Sequence, residues 1–468
     1  MFPRHACVRM VFAAGLGVLA IAGTSARSQP APPDPALFFQ ATSADPAVAD
    51  AALARIAPAW RDDYTPMIVD LARFLPVASR APADSPLPAI RARLIRFLEA
   101  RTGQRFGDDL NRWREWMWAR PYAPHPDYMA FKAAVYRGAV EPRMGDFLTG
   151  RSLIRLDEID WGGVKVNGIP PLDSPRTVGA ADAGWLRDSH VVFGLVVNGE
   201  ARAYPRRILA WHELARDELG GVPLTVVYCT LCGTVIPYRS TVGGVQRTFG
   251  TSGLLYRSNK LMFDEETGSL WSTLDGAPVV GPLVGQDLRL AVEPVVTTTW
   301  GEWRTAHPDT TVVSLETGFD RDYAEGAAYR DYFATDDLMF RVSRVDRRLD
   351  NKAEVLGLLL PAAGGGRQAV ALSVAFLDRQ RIYHGAWEGQ SLVVLTSPAG
   401  ANRVYDAGPI RFVRWEAEDR VVDTANQAWT VTEEALVGPA RRRLPRRPAF
   451  RAFWFGWFAQ FPETLLVK

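Results

Sequence analysis

The sequence predicts an α+β fold: a small N-terminal α-helical, solenoid-like region followed by a duplicated, mainly antiparallel β domain. Three observations carry this reading. From about Pro35 to Gly150 apolar residues recur at helical spacing, and after Gly150 the texture changes to β-branched runs broken by Gly and Asp. Four sequence blocks then return in the same order further along the chain. One pair of thiols, in Tyr228-Cys229-Thr230-Leu231-Cys232-Gly233-Thr234, stands in the first copy of those blocks and is missing from the second.

The N-terminus reads as a secretory signal over residues 1–26. Basic Arg4, His5 and Arg9 precede an apolar run from Met10 to Gly23, and Thr24-Ser25-Ala26 offers a small-residue cleavage site. The run is shorter than the ~20 residues a membrane span needs, so no transmembrane segment is expected once the signal is removed. A periplasmic or secreted location follows. Cys7 leaves with the signal, and the mature chain then holds only Cys229 and Cys232. A single close pair constrains the unfolded chain little, so it is not a stapling framework. Residues 27–36, rich in Pro and Ala, read as a linker.

The helical region is expected over residues 37–150. Short helices are read at Ala51 to Ile56 and Thr65 to Leu75, separated by Pro58, Pro66 and Pro76. A stronger one runs from Pro88 to Ala100, with Ile90, Leu94, Phe97 and Leu98 on one face and Gly103 beyond its end. Asp108 to Arg120 carries Leu110, Trp113, Met117 and Trp118 at helical spacing, which favours a helix–helix core over a ligand groove. Solenoid-like helices more often dock a partner than catalyse, so a protein partner is expected here if anywhere. Formal net charge is +2, which leaves no global field for nucleic acid. The basic run Arg441 to Arg447 is Pro-broken and reads as a solvated loop.

The repeats divide the rest into residues 151–315 and 316–468. Val192 to Val197 recurs as Val355 to Leu360, and Leu224 to Val227 as Leu392 to Leu395. Asp264, Trp271 and Val280-Gly281-Pro282 return as Asp423, Trp429 and Val437-Gly438-Pro439. Trp300-x-x-Trp303 with Pro308-Asp309-Thr310 returns as Trp454-x-x-Trp457 with Pro462-Glu463-Thr464. Features present twice build the fold, because both copies must close the same core. Features present once are free to carry function. The Cys pair is one, the segment Phe249 to Asn259 has no clear partner, and His212 faces no histidine in copy two.

Two chemistries suit the thiols. A redox pair commonly has its first Cys at a helix N-terminus, which lowers the thiol pKa. Here Gly233 to Tyr238 is β-branched and contains Pro237, so that route is missing unless a neighbouring cation replaces it. A metal knuckle would use a tight turn with Gly233 to aim two thiolates at copper or zinc. Further ligands must come from elsewhere, and His125, His190, His212, His307 and His384 are the candidates. His212 ranks first, on a helix read from Pro205 to Leu219 with Ile208, His212, Ala215 and Leu219 on its inner face. Tyr228, Gly233, Gly250, Ser252 and Gly253 are expected to shape the site. Gly250 to Gly253 matches neither a serine-hydrolase elbow nor a phosphate loop. Asp264-Glu265-Glu266 reads as a turn.

The blocks Asn198 to Pro205, Trp211-His212-Glu213, Tyr228 to Thr234, Phe249 to Asn259, Ser269-Leu270-Trp271 and Trp300 to Thr310 resemble a domain-of-unknown-function family numbered three-one-seven-nine. That family occurs in exported prokaryotic proteins and has no established activity. The resemblance covers most of residues 160–468. This chain departs from it at Thr230, where the family usually has Pro, and at Arg257 and Lys260. The expected function is that of an exported cell-envelope protein whose C-x-x-C site binds copper or zinc or does thiol–disulfide work. The alternative is a non-catalytic binding or scaffold protein, without cofactor, in which the Cys pair is a local disulfide clip. No catalytic residue is assigned.

Overall fold

The computed structural model describes residues 31–468, so the signal sequence, Cys7 and most of the linker lie outside the described residues. Seven α-helices come first, Pro35–Gln40, Pro46–Ile56, Thr65–Arg73, Leu87–Thr102, Leu110–Trp118, Tyr128–Ala139 and Pro142–Asp146. Their starts follow capping chemistry. Asp34, Asp45 and Asp109 each accept from a backbone amide of the first turn, and Pro35 and Pro46 open their helices. Gly103 ends the longest helix in the left-handed conformation. The helical face is not a free solenoid surface. Leu94, Trp113 and Phe131 share one core with Leu254, Phe263, Leu270 and Val280 of the first β copy. The helices therefore form a layer over a six-stranded sheet.

The duplication extends to strand topology. In copy one Val191–Val197 pairs antiparallel with Val296–Thr299 and Glu200–Pro205, and the latter pairs parallel with Thr311–Val313. In copy two Glu354–Pro361 pairs in the same way with Phe450–Phe453 and Arg367–Ser373, and the latter with Leu465–Val467. The repeated Trp residues close both cores identically. Trp303 Nε1 donates to Thr310 Oγ1 and Trp457 Nε1 to Thr464 Oγ1, each at 2.9 Å. Each ring lies on a glycine: an added Cβ would meet Trp303 at 2.2 Å from Gly194, and Trp457 at 2.2 Å from Gly357. In the second repeated block Trp271 donates to Asp264 at 2.8 Å and Trp429 to Asp423 at 2.9 Å. Asp264 also accepts from Thr267, and Asp423 from Ala425 and Gln427, so both aspartates build turns.

Three local expectations change. The helix read over Pro205 to Leu219 spans only Arg206–His212, because Glu213 turns left-handed at φ 56° and Leu214–Leu219 pairs antiparallel with Val222–Cys229. The segment Phe249 to Asn259 does have a counterpart. Phe249 meets Trp271 edge-on at 5.3 Å and Phe412 meets Trp429 edge-on at 5.6 Å, although the hairpin Phe412–Asp423 is shorter than Phe249–Asp264. Most of the basic run, Arg443–Arg447, is an interior strand paired on both sides, with Asn402–Asp406 and Ala435–Val437, rather than a solvated loop. All three arginines of this strand find carboxylates: Arg443 pairs with Glu434, buried Arg446 with Glu433 and Arg447 with Asp406.

The copies clasp each other. The turn after Val222–Cys229 packs on copy two's helix Trp454–Gln460, where a Cβ on Gly456 would lie 3.5 Å from Cys232 Sγ. The equivalent turn of copy two packs on copy one's helix Trp300–Ala306, where Ser397 Oγ donates to Glu302 Oε2 at 2.7 Å. Between the copies, residues 314–353 contain little regular structure apart from the helix Arg330–Phe333 and lie across the first of these junctions.

Candidate thiol site

Cys229 ends its strand, Thr230–Cys232 makes one 3₁₀ turn, and Gly233 reverses the chain at φ 62° into the strand Thr234–Arg239. No α-helix follows in the chain, so neither thiol stands at the N-terminus of a helix of its own. Gly233 is required twice over, by its positive φ and by the Phe453 ring 3.0 Å from where a Cβ would stand. Both cysteines are free and buried, with their sulfurs 2.8 Å apart. Cys232 Sγ also lies 3.3 Å from Ser258 O, an acceptor at the tip of the long hairpin that copy two shortens.

The neighbouring charges are a buried pair. Lys260 Nζ lies 3.0 Å from Glu213 Oε2 and donates to Glu213 O at 2.8 Å. Burial pushes the Cys229 thiol up, but the hydrogen bond from Cys232, the Lys260 amide and the Lys260 ammonium bring it below its ordinary value against the Glu213 carboxylate. Cys232 goes the other way: burial, its bond to Cys229 and the negative charge beside it raise it well above the ordinary thiol value. The two thiols are therefore unequal, with Cys229 the easier to ionise and Cys232 the holder of the shared proton. Lys260 is the neighbouring cation that favours the Cys229 thiolate.

The connector covers the pair. Tyr332 Oη donates to Leu231 O at 2.8 Å, Tyr329 Oη to Glu213 Oε1 at 3.2 Å, and Tyr332 shares a small buried cluster with both cysteines, against which Phe340 packs. Lys352 sits 3.6 Å over the Tyr332 ring and fastens that cover.

His212 is buried, but both of its nitrogens are engaged away from the sulfurs. Pro170 O can only accept, so Nδ1 carries the proton and donates at 2.9 Å, while Nε2 faces Tyr323 Oη at 2.5 Å. Burial lowers its pKa, which keeps the ring neutral. The other histidines are also engaged: His125 at Pro33 O, His190 at Arg187, His384 at Phe412. Among the described residues no group of three or more His, Cys, Asp or Glu side chains could hold a metal ion. Tyr228 lies on Phe193 with ring centroids 5.0 Å apart and hydrogen-bonds Glu213 O through its amide. Gly250 and Gly253 border the loop at 162–169, where Thr251 N donates to Asn167 Oδ1 and Gly162 N to Gly253 O, and Ser252 Oγ donates to Leu261 O within its own hairpin.

His307 belongs to the reciprocal junction, beside a cavity of about 730 Å³. It caps its helix and lies on Trp303 with centroids 4.2 Å apart, as Phe461 lies on Trp457 at 4.8 Å. Burial, Arg403 and Arg446 lower its pKa to about 4. Unfolded His307 therefore binds a proton that the folded chain refuses as pH drops below its ordinary value. Its contribution is complete above pH ~6.5 and is lost as pH falls toward about 4. His307→Phe, which copies the other repeat, is expected to flatten the acid limb of denaturant stability between those values. An unchanged limb would show that the ring does not titrate in this way.

With this geometry in view, the comparison with known families is decisive on membership. Residues 166–464 match the profile of the family described as "Protein of unknown function (DUF3179)". The chain belongs to the DUF3179 family. No curated protein and no solved structure matches it. In this DUF3179 chain the match covers both copies and the thiol turn, and leaves the helical layer outside. Lys260, Glu213, Tyr329 and Tyr332 complete the site, and none was read from the sequence as part of it. A lysine leading the apolar run Leu261 to Phe263 of the fully buried strand Asn259–Asp264 was the available signal.

Proposed function

We propose that this protein is an exported thiol–disulfide couple, with Cys229 as the attacking thiolate and Cys232 as the resolving thiol. The observation that supports it best is the 2.8 Å approach of two free sulfurs whose surroundings favour ionising only one of them. The Cys229 thiolate attacks an incoming disulfide, forms a mixed disulfide and releases one thiolate. Cys232 then gives up its proton, attacks Cys229 sulfur and expels the second thiolate. The protein is oxidised by two electrons and the incoming disulfide is reduced to two thiols. The cover formed by Tyr329 and Tyr332 has to lift for that encounter.

A soft-metal reading, with Cys229, Cys232 and His212 around copper or zinc, is the second possibility. It requires His212 to leave Tyr323. A local clip in a binding protein is the third, with partners docking on the helices. Among the described residues no helix is long and apolar enough to cross a membrane.

Thiol counting separates these readings. Anaerobically purified protein is expected to show two reactive thiols on denaturation, none after a small-molecule disulfide, and both again after reductant, with metal below stoichiometry. Alkylation of the folded protein should fall first on Cys229. Stoichiometric copper or zinc that disappears in Cys229→Ser would overturn the redox reading in favour of the metal one.

A further inference from the structure

A cavity of about 400 Å³ opens behind the thiol turn, with Tyr228 and Gly233 in its wall. It is a product of the duplication and the connector together. Copy one contributes Arg206 and Arg207, the connector Arg330 and Phe333, and copy two Arg451 and Phe453. The size falls in the range of small-molecule sites, and the aromatic rings supply an apolar wall.

Its charges do not balance. Arg206 pairs with Glu325 at 3.0 Å and Arg451 with Glu354 at 3.0 Å, both acids also lining the cavity. Arg207 hydrogen-bonds only neutral groups, donating to Tyr323 O and Trp185 O and approaching His190 Nδ1, and it forms no ion pair with Glu325, whose carboxylate is paired to Arg206 but still acts on it through space. Arg330 is exposed, and among the described residues its guanidinium makes no hydrogen bond or ion pair. Four guanidinium groups and two carboxylates therefore line one cavity, which leaves a surplus of positive charge beside its aromatic wall. Guanidinium groups bind carboxylates through paired charge-assisted N–H donors, and they do so best where apolar walls reduce competition from water.

We propose that this cavity binds a free small organic carboxylate, its charge on Arg207 and Arg330 and its apolar body against Phe333 and Phe453. The proposal does not need the thiols to cycle. Binding is read as heat, whereas the redox reading is tested by counting thiols, so either can fail alone.

The probe is phenylacetate, titrated calorimetrically into the reduced mature protein, with phenylacetamide as the neutral isostere. Saturable one-to-one phenylacetate binding is expected, weakened about tenfold in Arg330→Gln and in Arg207→Gln, with phenylacetamide at least as much weaker on the wild type. Arg330 supports no other group, so its variant should fold normally, and unchanged thermal unfolding checks that. Phe333→Ala should weaken phenylacetate as well, by loss of the wall. Equal binding of the amide, or binding indifferent to both arginine variants, overturns the proposal. So does the absence of saturable phenylacetate binding.

Discussion

Lys260→Met is expected to cost about 3–5 kcal/mol of stability and to move the pH midpoint of Cys229 alkylation upward. The side chain is buried, and its ammonium is the cation that meets the Glu213 carboxylate at 3.0 Å. Methionine fills similar volume but strands a buried carboxylate. The same carboxylate then acts on Cys229 unopposed, and a negative charge disfavours a thiolate beside it. Lys260→Met combined with Glu213→Gln removes both charges, and should regain most of the stability and bring the alkylation midpoint back down. Urea unfolding and alkylation rate against pH read the two effects separately. A single variant as stable as the wild type, with an unmoved midpoint, would remove Lys260 from the site.

Trp457→Ala and Trp303→Ala are each expected to lose about 3–5 kcal/mol, in near-equal amounts. Both rings are fully buried, and both make the same indole bond to a threonine. Gly357→Ala and Gly194→Ala, each placing a methyl into the ring above it, should cost about 1–3 kcal/mol through overpacking. The double variant Gly357→Ala/Trp457→Ala should lose less than the sum, because the added methyl occupies part of the hole left by the ring. Denaturant unfolding of the four single variants and the double variant measures this. Additive losses, or one copy that tolerates what the other does not, would show that the two cores are not equivalent.

Pattern within the chain made the repeats readable. Trp-x-x-Trp with its following Pro and Thr, and Asp with Trp and Val-Gly-Pro, are local signatures whose spacing survives copying, and each maps to one closed contact. The helical layer was readable for the same reason, from periodic apolar residues and Pro or Gly at helix ends. The helix expected through Leu219 failed because Leu214 to Leu219 suits either state, and pairing with Val222–Cys229 decides it. The Arg441 to Arg447 run failed because its carboxylate partners are distant in sequence or on another strand.

The sequence by itself determined that the architecture is duplicated, that helices precede it, and that the C-x-x-C pair stands in only one of the two copies. Only the tertiary structure decided which groups act on that sulfur. It turned His212 toward Tyr323, brought Lys260 and Glu213 to Cys229, and laid the connector's tyrosines across the pair. The physical reason is range. Helix caps and strand alternation are set by residues a few positions apart, whereas the ionisation of a buried thiol depends on charges and water exclusion supplied by segments that meet only when the two copies clasp.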